Sequence, residues 1–78
     1  VFQINQSMIE HLRIRLIYRN NELEDFWDCR DLTVNNTVSV TFFDKNGSFH
    51  IVPFFSLYAF KITAYTEEEY LNKMGKVA

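Results

Sequence analysis

The chain has little of what punctuates or staples a polypeptide: two glycines, one proline and one cysteine in 78 residues. So few glycines and prolines exclude collagen-like, linker-like and low-complexity classes. The lone Cys29 forbids an internal disulfide, and with His11 and His50 as the two histidines it cannot complete a zinc site. The glycines stand at 47 and 75, so no glycine-rich phosphate loop exists. No stretch reaches the roughly 18 consecutive apolar residues of a membrane span. The longest run, residues 51–57, is interrupted by Ser56 and contains Pro53. No positively charged leader precedes an apolar segment, and a chain starting at Val1 is expected to be trimmed or processed. A single cysteine fits a reduced, cytoplasmic setting, which is the expected location.

What is present is a heavily aromatic globular composition. Hydrophobic residues make up 47% and aromatics 17%, with 23% charged and a formal net charge of −2. That balance argues against disorder. A chain this short buries only about 60% of the surface its unfolded form exposes, so bulky aromatics must compensate for a small core. One domain over residues 1–78 is expected.

The strongest pattern is period-two alternation between asparagine-rich turns. Leu12, Ile14, Leu16 and Tyr18 alternate with Arg13, Arg15, Ile17 and Arg19, the signature of a half-buried strand. Asn20-Asn21 suits a two-residue hairpin loop, because asparagine tolerates positive φ. That loop sets Tyr18 against Leu23, Ile14 against Trp27 and Leu12 against Cys29, with Asp25 opposite Leu16 as a misfit. A helix over 22–30 competes, since Leu23, Phe26, Trp27 and Arg30 have helical spacing; cross-strand matching favours the hairpin. In the second hairpin, a three-residue loop at 35–37 pairs Val34 with Val38 and Leu32 with Val40. In the third, a four-residue loop at 44–47 pairs Phe42 with Phe49 and Val40 with Ile51. The expected inner face is therefore Val38, Val40, Phe42, Phe49 and Ile51. Pro53 ends a strand or marks an edge. Tyr58, Phe60 and Ile62 then alternate inward along a sixth strand.

The period changes after Tyr65. Thr66-x-x-Glu69 is a capping box, Glu67 to Glu69 favour the positive end of a helix, and Gly75 is the expected stop. Tyr65 and Tyr70 occupy staple positions, and Tyr70, Leu71 and Met74 form an apolar stripe. Before the first strand, Phe2 and Ile4 suggest a short strand and Ser7-x-x-Glu10 one helical turn. The fold class is mainly β, all-β or α+β. Its expected form is a six-stranded antiparallel meander curved into a small barrel or roll. Three hairpins over 12–63 follow a lead-in at 1–11, and a short C-terminal helix over 67–74 closes the chain. This order resembles small curved-sheet modules such as the PUA-like, Sm-like and PH-like ones, in pattern alone, so no functional residues carry over from them.

Candidate sites follow from the faces. Phe43, Phe54 and Phe55 are expected on the outside as an apolar protein-interaction patch. The expected function is thus a non-enzymatic interaction or regulatory module that binds a protein partner or itself. The alternative is an RNA- or nucleic-acid-binding regulator using Arg13, Arg15 and Arg19 with Phe26. Against it, Arg13 is expected to face Asp28 and Arg19 to face Glu22, with Glu24 diagonal. A pI of 5.6 also lies below the usual range of nucleic-acid domains. His50 is expected beside Thr41 on the outer side with no carboxylate to orient it, so no catalytic role is assigned. Cys29 reads as a small core residue. No cofactor, metal or membrane partner is expected.

Overall fold

The computed structural model describes residues 2–3 and 11–75, with side chains over residues 11–73. The strands are β1 (Phe2–Gln3), β2 (His11–Tyr18), β3 (Leu23–Trp27), β4 (Arg30–Asn35), β5 (Ser39–Phe43), β6 (Phe49–Pro53) and β7 (Leu57–Tyr65). A 3-10 turn at Phe54–Ser56 separates β6 from β7, and helix α1 (Glu67–Gly75) follows. The chain is mainly β with antiparallel pairing throughout. Residues 23–27 form a strand, so the competing helix does not occur. The Ser7 to Glu10 turn lies outside the described residues.

The meander is corrected in one respect. β7 does not lie beside β6; it returns to β2. The result is a sheet ordered β3-β2-β7 and a second ordered β1-β4-β5-β6, with no closed barrel among the described residues. The reason is β2 itself. Leu12, Ile14 and Leu16 are buried, and a central strand needs a hydrogen-bonded neighbour on each edge. β7 supplies the second one in a register that sets Ile62 beside Ile14 and Phe60 beside Leu16. The core between the sheets comprises Leu12, Ile14, Leu16, Cys29, Leu32, Val40, Phe42, Val52 and Leu57.

Two reversals share one solution. Tyr18 N–H donates to the Glu22 carbonyl at 2.9 Å and Asn21 N–H to the Tyr18 carbonyl at 3.0 Å. Asp44 and Ser48, then Gly47 and Asp44, repeat these bonds at 2.9 and 3.0 Å. Each is a three-residue loop whose last residue is left-handed: Asn21 at φ 71° and Gly47 at φ 87°. Three residues rather than two or four shift each register by one. Phe26 therefore sits beside Ile14 and Trp27 beside Arg13, while His50 sits beside Phe42 and Val52 beside Val40. The shift turns Phe49 and Ile51 outward, against expectation. In the second hairpin the turn falls at 36–38, so Val40 pairs with Val34 and Val38 is exposed. Val40 and Phe42 keep their inward face because that shift is by two.

Two further irregularities redirect the chain. A register shift opposite Ile17 and Tyr18 inserts Tyr58 into β7, so Leu57 turns inward and Tyr58 is exposed rather than buried. At Asp28, φ is 57° and Cys29 N–H donates to the Leu12 carbonyl at 3.1 Å. There the chain leaves one sheet for the other. The capping box of α1 forms as expected: Glu69 N–H donates to Thr66 Oγ1 at 3.2 Å, and Thr66 N–H to Glu69 Oε1 at 2.9 Å. Leu71 is exposed, so Tyr70 carries the docking of α1: its ring stacks on His11 at 3.6 Å and meets Trp27 edge-on at 5.9 Å.

Candidate functional site

The outer face of β3-β2-β7 follows from the observed registers. Arg13 lies beside Trp27 and Thr63, Arg15 beside Asp25 and Lys61, and His11 beside Tyr65. Asp25 holds both arginines: Arg15 Nε and Nη2 donate to its two oxygens at 3.0 and 3.1 Å. Arg13 Nε reaches Oδ1 at 3.3 Å and Nη2 reaches Oδ2 at 3.1 Å. Arg15 first, and Arg13 with it, hold the Asp25 carboxyl below its ordinary range against some desolvation. The partners expected from the sequence are elsewhere, because the register moved. Asp28 contacts His11 Nδ1, Glu24 accepts from the Tyr18 hydroxyl, and Arg19 Nε donates to the Phe55 carbonyl at 2.8 Å. Burial first, then Glu24, pushes the Tyr18 phenol up to about 12.

Of the nucleic-acid set, Arg13 and Arg15 stand together. Arg19 is anchored away from them, and Phe26 packs inward on Phe42 at 5.1 Å and His50 at 4.7 Å. Sequence reasoning missed Lys61, Thr63, Tyr65 and Lys73, which close a hollow of about 150 Å³ with the two arginines. The alternation of Lys61, Thr63 and Tyr65 against Arg15, Arg13 and His11 was the available signal, readable only once β7 is placed beside β2.

The outer face of β5-β6 has the opposite character. Its outward side chains are Thr41, Phe43, Phe49, Ile51 and Pro53, none charged. Phe43 and Phe49 contact each other at 4.8 Å, Phe49 is 52% exposed and Ile51 66%. The expected trio is split. Phe43 stands at one end of β5, whereas Phe54 follows Pro53 at the other, about 13 Å away at 3.3 Å per residue. Phe54 stacks on Phe60 at 5.5 Å, and Phe55 alone of the two is open to solvent at 80%.

His50 is corrected too. Its ring stacks on Phe42 at 4.9 Å, and Asp44 Oδ2 lies 2.8 Å from its Nε2, so an orienting carboxylate is present. Asp44 also accepts the Asn46 and Ser48 N–H groups at 2.9 and 3.0 Å. His50 first, then these amides, hold its carboxyl below the ordinary range. No hydroxyl or thiol of a described residue is hydrogen-bonded to His50, and the pair closes the β5-β6 turn. Cys29 is buried, and burial pushes its thiol up to about 11, away from nucleophilic chemistry. A second hollow of about 230 Å³ is lined by Asp25, Phe26, Trp27, Asp44, Lys45 and Asn46, with both carboxylates already engaged. Among the described residues no group of three or more His, Cys, Asp or Glu side chains is placed to hold a metal. No described helix is long and apolar enough to cross a membrane. Compared with protein-family models, curated proteins and solved structures, the chain matches none. Function has to be argued from these two faces.

Proposed function

We propose that this domain is a non-enzymatic interaction module that pairs with a second copy of itself through the open edge of β6. One observation carries the reading: β6 is an outer strand of its sheet, and its exposed side chains are apolar and uncharged. Hydrogen bonding alternates along the ladder from the closing pair Asp44 and Ser48. Phe49, Ile51 and Pro53 therefore direct their backbone polar groups away from β5, and Pro53 sits where its missing N–H breaks no bond to β5. Antiparallel pairing of two β6 strands about Ile51 joins Ile51 to Ile51 and Phe49 to Pro53. That register offers four N–H to carbonyl bonds and aligns both apolar faces on one side of a continuous sheet. A face without charge gives a differently charged partner nothing to select, whereas a second copy matches it by symmetry. The pairing is short, below the roughly 1,200 Å² of a standard interface, so association is weak and concentration-dependent.

Sedimentation velocity across a concentration series tests it. The wild type is expected to shift from monomer toward dimer, and Ile51→Lys to remain monomeric with an unchanged thermal melt. A wild type that stays monomeric at millimolar concentration overturns the reading.

A further inference from the structure

Independently of self-pairing, we infer that the hollow on the opposite sheet binds a dianionic phosphate monoester. Four of the chain's eight Lys and Arg residues surround it: Arg13, Arg15 and Lys61 from the strands and Lys73 from α1, with Thr63 and Tyr65 adding hydroxyls. A chain of net charge −2 has no general reason to gather half its cations at one place. Among the described residues Asp25 is the one carboxylate bonded to this group, and it orients rather than saturates it. Each guanidinium meets Asp25 through its Nε and Nη2 and keeps its Nη1 end beyond that contact. Neither Lys61 nor Lys73 has a carboxylate oxygen within 4 Å among the described residues. Two forked donors held in place beside two ammonium groups are the donor set that phosphate recognition uses.

Size and surroundings choose a monoester over a nucleic-acid strand. A volume of about 150 Å³ has room for a phosphoryl group and the first atoms of what it esterifies. The neighbouring rings offer no shelf for a base. Trp27 is covered by Arg13 at 4.9 Å and Tyr65 at 5.4 Å, and Tyr65 by Lys73 at 5.6 Å. Directly after Tyr65, the first turn of α1 presents Glu67, Glu68 and Glu69, which repel an extended polyanion but not a small one seated among the cations.

Amide chemical-shift titration with inorganic phosphate, O-phosphoserine, a phosphoserine peptide and a single-stranded oligonucleotide tests this at fixed ionic strength. Phosphate and O-phosphoserine are expected to move Lys61, Thr63 and Lys73. Affinity is expected to rise from pH 5 to 7.5 as the phosphate's second proton, with pKa near 6, is lost. Lys61→Gln with Lys73→Gln, both on exposed positions, is expected to weaken binding roughly tenfold without changing the thermal melt. Tighter binding of the peptide than of O-phosphoserine assigns the group to a protein; equal binding assigns it to a small phosphate ester. Shifts that chloride reproduces, or an oligonucleotide that binds more tightly than both monoesters, overturn the inference. The double variant leaves β6 untouched, so its outcome is separable from that of Ile51→Lys.

Discussion

The two outward sheet faces are built on the same alternation and end up opposite in kind. On β3-β2-β7 the outward row from His11 to Arg15 is charged, with Ile17, Leu23 and Ala59 beyond it, and its charges are answered: Asp25 holds Arg13 and Arg15, and His11 bridges Asp28 and Glu67. On β5-β6 the outward row holds Phe43, Phe49 and Ile51, of which Phe49 and Ile51 are exposed among the described residues. Period two thus reports which residues share a face, while the loops decide which face meets the core. A loop of three residues ending at Gly47, one fewer than the alternation predicts, is what carries Phe49 and Ile51 into solvent and His50 inside.

Inner and outer apolar side chains give the strongest test of that contrast. Phe42→Ala empties a fully buried site and is expected to cost about 3–5 kcal/mol in urea unfolding. Ile51→Ala, on the outward face, is expected to stay within about 0.5 kcal/mol in dilute solution. Equal losses would remove the distinction between the faces.

The charged face is tested next through Asp25→Asn. Two adjacent guanidinium groups then lose their shared counter-charge, and a loss of about 1 kcal/mol is expected, limited by solvent screening. Added phosphate is expected to recover more of it in this variant than in the wild type.

The contacts of α1 on the charged sheet add a pH dependence of their own. Desolvation works to lower the His11 pKa, but its hydrogen bonds to the Asp28 and Glu67 carboxylates outweigh it, and the net direction is upward from 6.5. A raised folded pKa means that the contribution is complete below the unfolded value and is lost as pH rises through the folded one. Above that point the grip of β2 on α1 is expected to loosen, read as faster proteolysis within residues 67–75 at alkaline pH. His11→Gln is expected to flatten this profile.

The smallest effect compares the two matched loops, one on each sheet. Gly47→Ala meets no atom within 4 Å, so about 1 kcal/mol of backbone strain is its whole expected cost. Asn21→Gly, at the equivalent left-handed position, is expected to be neutral or slightly stabilising by the same measure.

Much of the architecture is legible locally. β2, the three reversals and the capping box at Thr66 and Glu69 each declare themselves within a few residues. Register does not, because an Asn-Asn pair serves a two-residue loop and a three-residue loop equally well. Asp25 opposite Leu16 was the visible symptom, and moving it opposite Arg15 removes the conflict. The bulge at Tyr58 and the return of β7 to β2 leave no local mark, since both are set by what β2 lacks on its second edge. For that reason the arginines were found from the sequence and the lysines beside them were not. The phenylalanine trio is split for a related reason: Phe43 and Phe54 lie at opposite ends of one hairpin.

The pairing of β2 with β7 also orders events in time. A ribosome releases Leu12, Ile14 and Leu16 before Ile62 and Phe60, so the middle of one sheet waits with a bare flank while the three hairpin reversals can already close. Docking of the last strand is therefore expected to be the late step, because it is the pairing of longest sequence separation in that sheet.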